Sequence, residues 1–113
     1  MNIPLMEFAQ ATADANGRAV AEAAPEKFGD SWEVTLISTN TNSTSESQLR
    51  VYRGVESASA LLLSTYSANN DNASGGAAIN VGAGDKLVFV WSGASSGSIC
   101  TARIEGTLKS GRR

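Results

Sequence analysis

The most hydrophobic run in the chain is Leu87-Val88-Phe89-Val90-Trp91, entered from the turn residues Gly84-Asp85 and left at Ser92. Its β-branched and aromatic side chains suit a pleated surface and give little reason for a helix, so the run reads as a central strand. Alternation sets Leu87, Phe89 and Trp91 on one face and Lys86, Val88 and Val90 on the other, so both faces need cover. A two-layer β structure is the smallest architecture that supplies it without helices.

The rest of the pattern agrees. Trp32-Glu33-Val34-Thr35-Leu36-Ile37-Ser38 alternates, with Trp32, Val34 and Leu36 predicted on one face and Glu33, Thr35 and Ile37 on the other. Leu49 to Arg53 is the next strand, with Leu49 and Val51 opposed to Arg50 and Tyr52. Leu61 to Tyr66 is a short apolar run, strand or helix by length, that Thr65 and Tyr66 tip towards β. Ala77 to Val81 is a brief strand. Ile99 to Leu108 is a long closing one, with Cys100, Ala102, Ile104 and Leu108 inward and Thr101, Arg103, Glu105 and Thr107 outward. Arg18 to Ala24 alternates weakly and stops at Pro25, which fits an edge strand, with a short alanine helix as its rival. Between these lie polar connections at 39–48, 67–76 and 92–98, rich in residues that turn the chain. About six or seven short strands without a convincing long helix predict an all-β fold, an antiparallel β-sandwich of jelly-roll type.

Met1 to Asn16 shows no coherent period and offers few large side chains to dock a helix. It is expected to be an extended arm, or a short helix ordered against a neighbour. The expected organisation is therefore an arm over 1–17, a sandwich over 18–108 and a basic tail over 109–113.

Composition narrows the chemistry. The 113 residues suffice for one domain with a modest core, and a formal charge of -2 offers no general attraction to nucleic acid or an acidic membrane. Met1 to Gln10 lacks the basic start and apolar centre of a signal peptide, so the protein is expected to be soluble and made without its own export signal. There is no histidine, which removes the commonest proton shuttle and neutral metal ligand. The lone cysteine, Cys100, excludes an internal disulfide and a thiolate zinc site built from this chain, and reads as a small side chain in a strand. The carboxylates are dispersed. Asp71 with Asn69, Asn70 and Asn72 offers oxygens, but lacks the spacing and closing glutamate of a calcium loop. No glycine-rich phosphate loop precedes a helix, and Tyr52 between Arg50 and Arg53 is the one candidate for stacking on a base. No enzyme, metal or cofactor is expected.

Trp32-Glu33-Val34, Arg50-Val51-Tyr52-Arg53-Gly54, Ser64-Thr65-Tyr66-Ser67 before Asn69-Asn70-Asp71, Gly84 to Ala94 and Ile104-Glu105-Gly106-Thr107 together resemble small structural proteins of tailed bacteriophages. The likeness spans roughly 17–107 and is carried by strand and turn residues. It implies a virion component assembled in the host cytoplasm, most like a capsid decoration protein: a small β domain, often trimeric, bound to the major capsid protein on the capsid surface. Ile3, Leu5, Met6 and Phe8 are then the expected partner-binding residues of the arm. Two alternatives stand beside it. One is a tail or head-to-tail connector component; the other is a carbohydrate-binding module of a host-recognition apparatus, which needs an exposed aromatic platform such as an outward Trp91.

Overall fold

A computed structural model describes residues 2–25, 29–42, 47–67, 71–73, 79–82 and 84–109. The described residues form nine strands: β1 (Asn2–Thr12), β2 (Ala19–Ala23), β3 (Ser31–Thr41), β4 (Ser47–Arg53), β5 (Leu61–Ser67), β6 (Asp71–Ala73), β7 (Ile79–Val81), β8 (Leu87–Ser92) and β9 (Ile99–Lys109). A single 3-10 turn, Ala58–Ala60, precedes β5. The strands make two antiparallel sheets. Sheet I has the order β1-β9-β3-β6, with β7 pairing β3 beside β6, and sheet II has the order β2-β8-β4-β5. The chain passes repeatedly from one sheet to the other, which gives the jelly-roll-like sandwich that the hydrophobic pattern predicts.

The central strand is as expected: Leu87, Phe89 and Trp91 point into the sandwich, and Val88 and Val90 are also buried on the opposite face. That second face is closed by Tyr52 and Ala60, which pack on Val88 and Val90. The main core joins Trp32, Val34 and Ile37 of β3, Leu49 and Val51 of β4, and Cys100, Ala102 and Ile104 of β9 to the inner face of β8. A tight polar link runs through it. Trp91 Nε1 donates to Thr39 Oγ1 at 2.9 Å, and Thr39 Oγ1 donates to the carbonyl of Thr101 at 3.2 Å.

Four expectations need correction. Residues 2–12 do not stand outside the sandwich. They pair with β9 residue for residue, from Asn2 opposite Lys109 to Thr12 opposite Ile99, and bury Leu5, Ala9 and Ala13 in the core. The expected arm is an edge strand, and its small inward alanines hid the alternation. Leu36 does not share a face with Trp32 and Val34, because a β-bulge between Val34 and Leu36 inserts Thr35 and turns Ile37, Thr39 and Thr41 inward. Opposite the bulge sits Gly106, where a Cβ would lie 2.0 Å from the Glu33 carbonyl oxygen. Within the expected polar loop at 67–76, Asp71–Ala73 forms the short strand β6 on Ile37–Thr39. Lys109 of the expected tail ends β9; residues 110–113 lie outside the described residues, as do Asn69 and Asn70 of the calcium candidate.

Arg18 to Ala24 resolves as the edge strand β2. The chain crosses from β1 to β2 through a turn that Asp14 builds. Asp14 Oδ1 accepts from the backbone N–H of Asn16 at 2.8 Å and of Arg18 at 3.0 Å. These two bonds, with that to Arg18 the stronger influence, hold the carboxyl below the usual aspartate range. At Gly17 the backbone has φ +79°, and a Cβ there would lie 2.3 Å from the Ala94 carbonyl oxygen. Glycine lets these two end loops touch, and the Ala94 N–H donates to the Gly17 carbonyl at 3.1 Å.

Candidate functional site

The strand β1 alternates cleanly once its partner is known. Leu5 is 6% exposed, whereas Met6 and Phe8 are 56% and 61% exposed on the solvent side of sheet I, and Ile3 is 44% exposed near the strand's start. Of the four expected partner-binding residues, Ile3, Met6 and Phe8 are therefore available to a partner. Leu5 is not, because it belongs to the core.

Register fixes what surrounds them. Met6 lies opposite Glu105 and Phe8 opposite Arg103 on β9, and the next strand brings Leu36 opposite Glu105 and Ser38 opposite Arg103. Arg103 Nη2 meets Glu105 Oε2 at 2.8 Å. One row further, Gln10 Nε2 donates to Thr101 Oγ1 at 3.2 Å, with Asn40 opposite Thr101 on the far side. The outer face of sheet I thus carries an exposed apolar pair at its β1 margin, bordered by an ion pair and by amide and hydroxyl groups. The outward mixture of charge and threonine on β9 is legible in the sequence; that Met6 and Phe8 sit beside it is not. The signal was the alternation of Leu5, Ala9, Ala11 and Ala13 with Met6, Phe8, Gln10 and Thr12, easily missed because alanine weighs little as an apolar residue.

The other candidates are structural. Trp91 is fully buried and hydrogen-bonded, so it offers no outward platform. Tyr52 is buried against Val88 and Val90 and presents no face for stacking. Cys100 is fully buried, its Sγ 3.6 Å from Thr41 Oγ1, and burial pushes the thiol above its ordinary range, away from the thiolate a nucleophile needs. Among the described residues no group of three or more His, Cys, Asp or Glu converges on a possible metal position, and no helix is long and apolar enough to cross a membrane.

Away from sheet I, Arg18 and Glu56 form a two-pronged ion pair that ties the β2 entrance to the loop before Ala58. The pair holds the Glu56 carboxyl below its usual range and raises Arg18, chiefly through the hydrogen bonds between them. Both side chains are solvent-exposed, so this clasp fixes a loop more than it shapes a site.

No family model matches the chain, and no curated protein matches it. Solved structures do. The mitogen derived from Yersinia pseudotuberculosis aligns with 90% of this chain and 86% of its own at 12% identity, with a TM-score of 0.53. A protein of the pili that form Bacillus endospore appendages aligns with 94% of this chain and 88% of its own at 14% identity, TM-score 0.44. A glycoside hydrolase family 43 arabinoxylan arabinofuranohydrolase from Bacillus subtilis, solved with cellotetraose, aligns with 92% of this chain at 15% identity, TM-score 0.44, and this chain spans 21% of it. At such identities the likeness is one of fold, and what it establishes is a small, two-sheet antiparallel β-sandwich domain.

Proposed function

We propose that the chain is a non-enzymatic structural protein of a tailed-bacteriophage particle, which binds the major capsid protein through the outer face of sheet I and so stabilises the assembled shell. The observation that carries the docking surface is the exposure of Met6 and Phe8 side by side on the outer face of sheet I. A hydrophobic pair inside a polar rim is how protein–protein contacts are built. The assignment to a phage particle rests on the resemblance of the strand and turn residues. Stabilisation follows by mass action: a subunit that binds the assembled shell and not the free capsid protein shifts the balance towards the shell.

The test is co-sedimentation of purified protein with undecorated shells. A Met6→Ser/Phe8→Ser variant should bind at least about tenfold more weakly while its circular dichroism stays unchanged. Equal binding by that variant defeats the docking surface. Density for the protein confined to the neck or tail of the source particle, seen by cryo-electron microscopy, would move it to the connector alternative.

A second reading, a carbohydrate-binding module, is favoured by one feature: the Phe8 ring is exposed next to Arg103, with the Gln10 amide and Thr101 hydroxyl in the adjacent row. An apolar ring flanked by a few placed polar groups suits the apolar face and hydroxyls of a sugar. Calorimetric titration against a panel of oligosaccharides separates the readings, since binding abolished by Phe8→Ala supports the module.

A further inference from the structure

Asn16-Gly17 is the only Asn-Gly step in the chain, and it lies where the turn between β1 and β2 meets the loop that enters β9. Asparagine is chemically labile, most of all before glycine, because no Cβ on the next residue obstructs the approach of its backbone nitrogen to the asparagine amide carbon. The fold holds the two reacting groups differently. Asn16 is exposed, and among the described residues no hydrogen bond holds its side-chain amide. Asn42 is tied down by contrast, its Oδ1 accepting from the Ile99 N–H at 2.8 Å. Gly17 is buried, and its N–H donates to the Asp14 carbonyl at 3.0 Å. Around it Asp14 Oδ1 accepts from the N–H groups of Asn16 and Arg18, and the Asp14 N–H donates to the Arg18 carbonyl at 2.9 Å. The labile amide is therefore unheld, while the nitrogen that would attack it is engaged.

We infer that Asn16 is a site of spontaneous deamidation through ring closure with the Gly17 nitrogen, that the Asp14 turn governs its rate, and that the isoaspartyl product loosens the join between the two end loops. The inference rests on the turn itself and stands apart from the reading of function above. In the first step the Gly17 nitrogen gives its proton to solvent and attacks Asn16 Cγ. The new C–N bond closes a succinimide, and the side-chain nitrogen leaves as ammonia. Water, the one co-reactant, then opens the ring. Attack at Cγ breaks the new bond and leaves aspartate; attack at the main-chain carbonyl breaks the original peptide bond and leaves isoaspartate. No oxidation or reduction is involved.

Ring closure requires the Gly17 N–H to leave the Asp14 carbonyl, so it proceeds through brief opening of the turn. The Asp14 carboxylate opposes that opening, because its two charge-assisted bonds hold the residues on either side of Gly17. The product acts on the same spot. Isoaspartate adds a carbon to the main chain next to Gly17, whose carbonyl accepts from the Ala94 N–H at 3.1 Å in a contact too close for any Cβ. Two bonds further along, from the Ala13 N–H to the Ser98 carbonyl and from the Gly97 N–H to the Ala13 carbonyl, join the same loops. The Gly17 to Ala94 bond, nearest the insertion, is the one the longer chain disrupts. Aspartate leaves the main chain as it was, so only the isoaspartyl form loosens the join.

The full chain is aged in warm buffer of about pH 8, with the same buffer in strong urea as the unfolded reference, and mapped by mass spectrometry. Trypsin releases Met1 to Arg18 as one peptide, and isoaspartate in it is read by enzymatic methylation of its carboxyl. That peptide should change from amide to acid mass at Asn16 before any other asparagine converts, at least about tenfold more slowly folded than in urea. Asn16→Gln should suppress the change, since its ring closes far less readily. Gly17→Ala is unsuitable, because its Cβ would meet the Ala94 carbonyl oxygen. Asp14→Ala should convert at least about threefold faster than the parent in the folded state and at the same rate in urea. In the isoaspartyl form the Ala94 amide proton should exchange at least about tenfold faster by NMR, with those of β8 unchanged. Earlier conversion of another asparagine, equal rates folded and in urea, no acceleration by Asp14→Ala, or unaltered exchange at Ala94 each overturns the inference. If Asp14→Ala fails to fold, the parent's rates with and without urea and the Ala94 exchange decide.

Discussion

At the level of single residues, the sandwich is pinned by a few polar atoms whose loss should be measurable. Thr39 joins the sheets: its hydroxyl accepts from the fully buried Trp91 indole and reaches the Thr101 carbonyl. Replacing it by valine keeps the volume but leaves the buried indole N–H without its acceptor. Thr39→Val should therefore lose about 1–3 kcal/mol in urea denaturation, with a shift in tryptophan emission. Asp14 acts differently, because it is exposed and works by shaping a turn. Its carboxyl is held below the usual range by the Arg18 and Asn16 amides, so its share of stability is complete above the unfolded-state value of about 4 and fades as pH falls through the lowered folded value. Asn can accept the same bonds without titrating. Melting curves from pH 6 down to about pH 2 should show Asp14→Asn losing less stability on acidification than the parent chain, and a parallel loss would show that Asp14 is not a source of the acid sensitivity.

Among the elements, the β3 bulge is the feature on which the inner face depends. Thr35 is the extra residue, and Gly106 across from it leaves room for the Glu33 carbonyl to approach. Gly106→Ala forces a Cβ into the β3 backbone at Glu33 and Thr35, so the bulge must be remade; a cost of about 3 kcal/mol or more is expected. Gly82→Ala is the control, as nothing lies within 4 Å of its added Cβ, and it should stay within about 0.5 kcal/mol. The bulge also marks where the sequence becomes opaque. Leu36 and Ile37 are both apolar, so alternation alone gives no reason to prefer Ile37 inside. The choice is made by Gly106, seventy residues away, and is visible only once β3 and β9 are paired. β8, β9, β4 and β2 were legible because large side chains, or a stopping proline, marked their faces and ends. β6 was not, since Asp71-Asn72-Ala73 has poor strand propensity and is extended by its pairing with β3. The candidate site was legible in part. Met6 and Phe8 stood out as apolar residues without an evident core, but their neighbours Arg103 and Glu105 were placed beside them by pairing across nearly the whole chain.

For the whole molecule, the N-terminal strand serves the fold and the surface at once, and this changes how its role must be tested. If residues 1–17 were an arm, deleting Met1 to Phe8 would leave a folded domain that no longer attaches. As β1, the same residues cover one flank of β9 and carry Leu5 into the core. Removing them strips the ladder from Gly106, Ile104 and their neighbours and takes away a buried leucine, a loss of about 2–5 kcal/mol from that side chain alone. The truncated chain should melt at least about 10 °C lower and expose β9 as a fresh edge prone to association. A loss of binding in that variant would say nothing about contact. Outward substitutions at Met6 and Phe8 avoid the confusion, because both side chains already face water and their replacement should leave the melting point within about 2 °C. If the truncation melts like the parent, β1 contributes little to the sandwich and its edge pairing with β9 is weaker than its register implies. If the truncation falls apart while the outward variants stay folded and lose their partner, then the inner face of β1 builds the domain and its outer face does the binding.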